Sequence, residues 1–389
     1  MRRYIIFVAT LIVGLALWTI SPKKSLHAYA DGVVKKCQGV AYAPSCYDRE
    51  IPKLMDRISM EEAFEVTRLV QEKDKRYLYC HVLAHNVSLR EAEKDLSNWK
   101  DVVARCPTTF CNNGCQHGAL MRRFNAESLT NSQIAEVKPD LMDVCEPRGS
   151  WNPREIERSM CYHALGHLNM FITKADIPKS VELCNDIGIK PDGRNYTQTC
   201  TQGVLMSVYQ PLEPEDFALV KDLTPTKDTV NVFCNQFTGE AWFACHSESW
   251  PLFLQDIKEP AGLMRFCSYT NDPDKKQNCI ATGMSILTVF MVVDRGGQLD
   301  RLRAYCDQLP FVQKGQCYAA SAFRLVQIDP RYADTAQAVC VVAQESGVGD
   351  ACYSYLLQHA DQSFQEGSTE REAFCEAFSE MWKIQCMNQ

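Results

Sequence analysis

The chain has 389 residues, 46% of them hydrophobic and 23% charged, with a formal net charge of −7 from 41 basic and 48 acidic side chains. That composition is globular and excludes a collagen-like, mucin-like or wholly disordered protein. Four of the basic residues (Arg2, Arg3, Lys23, Lys24) and none of the acidic ones precede Asp31, so residues 31–389 carry 37 basic against 48 acidic groups, or −11. A body this acidic has no broad positive footprint for nucleic acid or for an anionic lipid surface, and no nucleic-acid partner is expected.

The N-terminus reads as an export segment. Met1-Arg2-Arg3 is basic, Tyr4 to Ile20 carries no charge, and Ala28-Tyr29-Ala30 fits a small-residue cleavage pattern. The apolar run is long for a signal peptide and nearly long enough to span a bilayer. Residues 1–30 are therefore expected to be a signal peptide or an uncleaved signal anchor, with membrane contact only through residues 4–20. Either way residues 31–389 lie outside the cytoplasm, whether periplasmic, secreted or anchored facing outward. Twenty cysteines without a C-x-x-C knuckle agree with an oxidising compartment and disulfides rather than a cytosolic metal cluster.

The cysteines also carry a period. Cys46, Cys80, Cys115, Cys161, Cys200, Cys245, Cys279, Cys317, Cys352 and Cys386 follow one another at gaps of 34 to 46 residues, the mark of a repeat array. Nearly every one has a companion 9 to 16 residues upstream. The spacing predicts the pairs Cys37–Cys46, Cys106–Cys115, Cys145–Cys161, Cys184–Cys200, Cys234–Cys245, Cys267–Cys279, Cys306–Cys317, Cys340–Cys352 and Cys375–Cys386. Cys80 and Cys111 remain and are paired by elimination. Residues after each repeat cysteine show apolar steps of three and four, the helical period. Breaks follow at Asp176-Ile-Pro178, Gly296-Gly297, Asp329-Pro330 and Ser368-Thr369, three of which offer helix caps. A shorter helix then runs to the next upstream cysteine. The expected fold is all-α: residues 31–389 form one cysteine-rich repeat domain of about nine αα hairpins, stacked as a solenoid or toroid, with each inter-unit loop closed by a disulfide. Cys279 is expected to open its helix after a loop from Cys267. Small residues three or four positions after the repeat cysteine, such as Ala84, Gly118, Ala164 and Gly203, are expected to let neighbouring helices approach closely. Glu248 and Tyr355 interrupt that pattern.

Five of the eight histidines fall in three consecutive repeats. His81-Val-Leu-Ala-His85 and His163-Ala-Leu-Gly-His167 share the pattern H-x-L-[AG]-H, with His117 between them. Histidines at i and i+4 project from one helical face, as a helix does when it supplies two imidazoles to one metal ion. Zinc, copper or iron are the candidate ions. Helices pack 8–10 Å apart, so helices two repeats apart are expected roughly 16–20 Å apart. On that spacing three histidines converge and five do not: His81, His85 and His117, or His117, His163 and His167. The competing expectation is that the five are packing residues inherited by duplication.

The remaining motifs say less. His246-Ser247-Glu248 lacks the glycines of a nucleophile elbow. Arg122-Arg123 is a possible anion contact, and no phosphate-binding glycine loop occurs. Asn86 and Asn195 match the glycosylation sequon. No catalytic residue is assigned, and enzymatic activity stays open. The repeat array points first to a protein- or peptide-binding scaffold, second to a metal-binding protein or metal-dependent enzyme built on the histidines, and third to a structural envelope protein.

Overall fold

The computed structural model describes residues 25–77, 79–107, 110–124, 128–212, 214–359, 364 and 368–388. The chain is 75% helical with no strands among the described residues, and it contains ten disulfides. Residues 4–20, the apolar export segment, lie outside the described residues. Among those that are described, no helix is long and apolar enough to cross a membrane.

The chain forms two compact units that divide after Tyr77. The first holds α1 (Leu26–Cys37), α2 (Ala43–Glu50) and α3 (Met60–Lys73). Ser25 caps α1 by accepting from the Ala28 backbone N–H, and Ala30 is fully buried within that helix. The small-residue motif Ala28-Tyr29-Ala30 is thus part of a packed helix. Ser59 and Glu62 start α3 with a reciprocal capping box, which satisfies backbone donors that a helix start leaves open. Cys37–Cys46 ties α1 to α2. The Tyr47 hydroxyl donates to Asp74 at 2.9 Å and the Tyr77 hydroxyl to Asp48 at 2.7 Å.

The second unit begins with α4 (His81–Lys94), α5 (Trp99–Ala104), α6 (Gly114–Phe124), α7 (Asn131–Asp143), α8 (Glu155–Ile172), α9 (Ile177–Gly188) and α10 (Thr197–Tyr209). It continues through α11 (Pro214–Val220), α12 (Val230–Cys234), α13 (Gly239–Glu248), α14 (Leu254–Ile257), α15 (Pro260–Phe266), α16 (Pro273–Met291), α17 (Asp300–Cys306) and α18 (Phe311–Ile328). The last helices are α19 (Ala333–Glu345), α20 (Gly349–Gln358), α21 (Thr369–Glu376) and α22 (Glu380–Met387). Helices α4, α6, α8, α10, α13, α16, α18 and α20 each pack on the next in that order, and shorter helices such as α5, α9, α12, α17 and α19 pack against them. Helix α18 also meets the 3-10 turn Phe110–Asn113.

Nine disulfides lie in this unit: Cys80–Cys111, Cys106–Cys115, Cys145–Cys161, Cys184–Cys200, Cys234–Cys245, Cys267–Cys279, Cys306–Cys317, Cys340–Cys352 and Cys375–Cys386. Cys80–Cys111 spans 31 residues, and the other eight close spans of 9 to 16 residues between successive helical segments. A bridge over a loop of this size restricts the unfolded chain by roughly 2–3 kcal/mol in the chain-entropy account.

Two helix starts differ from the sequence expectation. Cys279 does not open its helix. Asp272 accepts from the Asp274 and Lys275 backbone N–H groups, Pro273 occupies the first turn, and α16 is already two turns old at Cys279. An N-cap aspartate followed by proline is a strong start signal, and it lay inside the presumed loop. Asp329 does not cap a following α-helix either. Its carboxylate binds the Arg331 backbone and guanidinium over a 3-10 turn, and α19 begins at Ala333. Asp176 does cap α9, and Gly296 and Gly297 end their segment in the left-handed region with φ of 65° and 87°.

The closest helix contacts are made by glycine. A Cβ on Gly118 of α6 would stand 2.2 Å from the His85 carbonyl oxygen of α4, and one on Gly203 of α10 would stand 2.1 Å from the His163 carbonyl oxygen of α8. Gly203→Ala is expected to force α8 and α10 apart and destabilise the protein by about 1–3 kcal/mol. Gly32→Ala on α1, where a Cβ meets nothing within 4 Å, is expected to stabilise it by about 0.5–1 kcal/mol. Urea unfolding with the disulfides intact measures both.

Candidate metal centre

The site begins at a disulfide. Cys80 precedes α4 and is bonded to Cys111 in the turn that leads into α6. In that turn Cys111 and Asn113 hold φ of 53° and 59°, a left-handed conformation that is uncommon for side chains other than glycine. The turn sets the Cys111 carbonyl 3.2 Å from His81 Nδ1. A carbonyl only accepts, so His81 carries its proton on Nδ1 and keeps a lone pair on Nε2. One helical turn later His85 places its own Nε2 2.9 Å from that atom.

Helix α6 adds the third imidazole. The ring centre of His117 lies 5.0 Å from that of His81 and 5.2 Å from that of His85. The three residues each offer one ligand nitrogen, and these atoms all lie within 4.8 Å of one another. Two nitrogens bound to one ion at 2.0–2.1 Å and at angles of 90–110° stand about 2.9–3.4 Å apart, so the α4 pair is already at ligand spacing.

Helix α8 brings the second pair beside the first. His163 and His167 face each other through Nε2 atoms 3.2 Å apart. The His117 ring centre is 4.8 Å from His167 and 6.2 Å from His163. The five histidines therefore form one continuous cluster with His117 at its centre. Ligand atoms converge within 4.8 Å for His81, His85 and His117, and the α8 pair adjoins that set through ring contacts with His117. Gly118 lets α6 approach α4 closely at His85, and both histidine pairs contact the single imidazole of α6. His85, His163 and His167 keep partial exposure, while His81 and His117 are buried.

Burial sets the charge state. It pushes His117 well below the usual imidazole range, with His167, His81, His85 and His163 adding to the effect. Burial lowers His163 to about 4, against a smaller upward pull from the Thr199 backbone. Burial, then His163, His81 and His85, holds His167 well below its ordinary value. These three rings are neutral at neutral pH and present nitrogen lone pairs. No cysteine among the described residues is free, so imidazole is the main donor available.

One residue beside the cluster escaped the sequence reading. Met206 of α10 sets its Sδ 3.3 Å from His163 Nε2, and the next residue, Ser207, bonds His167 Nδ1 at 2.8 Å. The signal was present in the repeat register. Met206 stands six residues after Cys200, as His167 stands six after Cys161.

The other candidates separate from the cluster. Ser247 donates its hydroxyl to the Ala244 carbonyl at 3.2 Å. His246 stacks on Tyr269 with ring centres 4.7 Å apart and lines a cleft of about 460 Å³ with Trp242, Phe253 and Lys227. Arg122 pairs with Glu93 at 3.3 Å, and Asn195 accepts from the Thr197 backbone N–H. Trp151 stacks under Arg148.

Glu248 is buried and bonded to the Gln210 side-chain amide at 3.1 Å. Burial raises its pKa to about 8, with Gln210 acting in the opposite sense. The folded protein thus holds a proton there that the unfolded chain releases near the ordinary value of 4.5. Between those values the native state binds more protons, so stability falls as pH rises. Glu248→Gln is expected to remove about 2–4 kcal/mol of that decline between pH 5 and 8. Thermal unfolding across pH measures it, and equal pH slopes for the two proteins would contradict the assignment.

No protein-family model matches the chain, and no curated protein or solved structure matches it significantly.

Proposed function

We propose that the protein is an extracytoplasmic helical-repeat protein that binds a transition-metal ion through His81, His85 and His117. The observation that carries this reading is the convergence of three imidazole ligand atoms within 4.8 Å of one another. The Cys111 carbonyl supports it from outside, since a ring held through Nδ1 aims its Nε2 lone pair at a metal. Zinc, copper and iron all accept imidazole nitrogen. The ion would be held as cargo or used as a Lewis acid, and the three neutral rings would hold and orient it through nitrogen lone pairs.

The ten disulfides favour an oxidising, extracytoplasmic setting. The ordered neighbour contacts from α4 to α20 support a stack of αα hairpins, and the meeting of α18 with the turn before α6 supports its curling back on itself as a toroid. Cleavage after Ala30 would remove the Ser25 cap and a fully buried residue of α1. That favours retention of the export segment as an anchor.

A scaffold that binds a protein or peptide is the second reading. Its support is the stripe of exposed Met381, Ile384 and Met387 on α22, three apolar side chains at helical steps.

Elemental analysis of protein purified without a histidine tag tests the first reading. Close to one equivalent of zinc, copper or iron is expected, and His117→Ala is expected to lose it while keeping its helicity. Wild-type protein that takes up none of these ions after apo-protein titration would overturn the metal reading. Ligand linkage gives a second readout: zinc at 100 times its Kd is expected to stabilise the protein by about 2.7 kcal/mol, an increment that a chelator removes.

A further inference from the structure

Beside the triad, the structure holds a second set of donors with a different chemistry. His163 and His167 contribute two nitrogens 3.2 Å apart, and Met206 adds a thioether sulfur 3.3 Å from one of them. We infer that His163, His167 and Met206 form a second metal site, adjacent to the triad and selective for copper(I).

The tautomers support it. The Ser207 hydroxyl donates to the Gly203 carbonyl at 3.1 Å. A Ser207 hydroxyl that donates to Gly203 accepts from His167 Nδ1, the tautomer that leaves the Nε2 lone pair for an ion. The two Nε2 atoms face each other 3.2 Å apart. That separation falls within the ligand spacing of two nitrogens on one ion. Ser207 is in the position of the outer partner that fixes a metal-binding histidine.

Sulfur decides the metal. Soft thioether ligands favour copper(I) over the divalent ions that suit an all-imidazole site. The sulfur cannot be supplied here by cysteine, since Cys161 and Cys200 on the same two helices are in disulfides. Methionine persists as a soft ligand in a compartment that oxidises thiols. His163, His167 and Met206 all keep partial exposure, which leaves a route for the ion. The triad need not be filled for this site to form, because His117 is a neighbour of the second site and not one of its three donors.

The test is an anaerobic copper(I) titration of full-length apo-protein against the chromophoric competitor bicinchoninate, with cobalt(II) absorption reporting the triad separately. Wild type is expected to withdraw copper(I) from the competitor. Met206→Leu, which keeps an apolar side chain of similar size, is expected to weaken copper(I) binding at least tenfold and to change cobalt(II) binding less than twofold. Met206→His is expected to exchange the copper(I) preference for zinc(II). His81→Ala is expected to abolish the cobalt(II) signal and to retain copper(I). Copper(I) affinity equal in wild type and Met206→Leu, or no withdrawal by wild type, would overturn the second site. Copper(I) binding that depends on Met206 in a protein silent to cobalt(II) would uphold this site and overturn the triad.

Discussion

The centre depends on backbone-to-backbone contact between neighbouring helices. Where α6 crosses α4 and where α10 crosses α8, a glycine occupies the point at which any Cβ would strike a histidine carbonyl. The contacting carbonyls belong to His85 and His163, so the same approach that packs the helices also sets the height of each imidazole pair. The bridge Cys80–Cys111 and the left-handed turn it anchors add a second restraint at the edge of the cluster. Close-packed interiors transmit small displacements. The position of the rings therefore follows from the packing of the row as a whole.

Chemistry follows from what that packing leaves available. The disulfides remove every described thiol from the list of donors. Burial removes charge from His117, His163 and His167 and leaves neutral nitrogen. Hydrogen bonds at His81 and His167 fix which nitrogen of the ring faces inward. Five imidazoles without an intervening cation would depend on shared protons to avoid opposed lone pairs. Met206 sets the one thioether among these groups beside His163.

Much of this was legible in the residues. The cysteine spacing marked a helical, disulfide-bridged fold, because a bridge requires two cysteines near in space and short loops leave few alternatives. The pattern H-x-L-[AG]-H marked two pairs of rings on common faces, since i and i+4 always share a face. The small residues after the repeat cysteines marked the contact points. Helix starts were read less well: Asp272-Pro273 was hidden inside an assumed loop, and Asp329 spent its carboxylate on Arg331.

By itself, then, the sequence determined an acidic, helical, disulfide-rich body with histidines paired at helical spacing. Those properties are set by composition and by spacing along the chain. The tertiary structure alone decided that α4, α6 and α8 deliver their rings to one place, and that Met206 and Ser207 of α10 stand beside them. Distances between helices depend on which side chains lie at each crossing. Glycines at the α4–α6 and α8–α10 contacts permit a backbone approach that a Cβ would block, and the linear order of residues carries no measure of it.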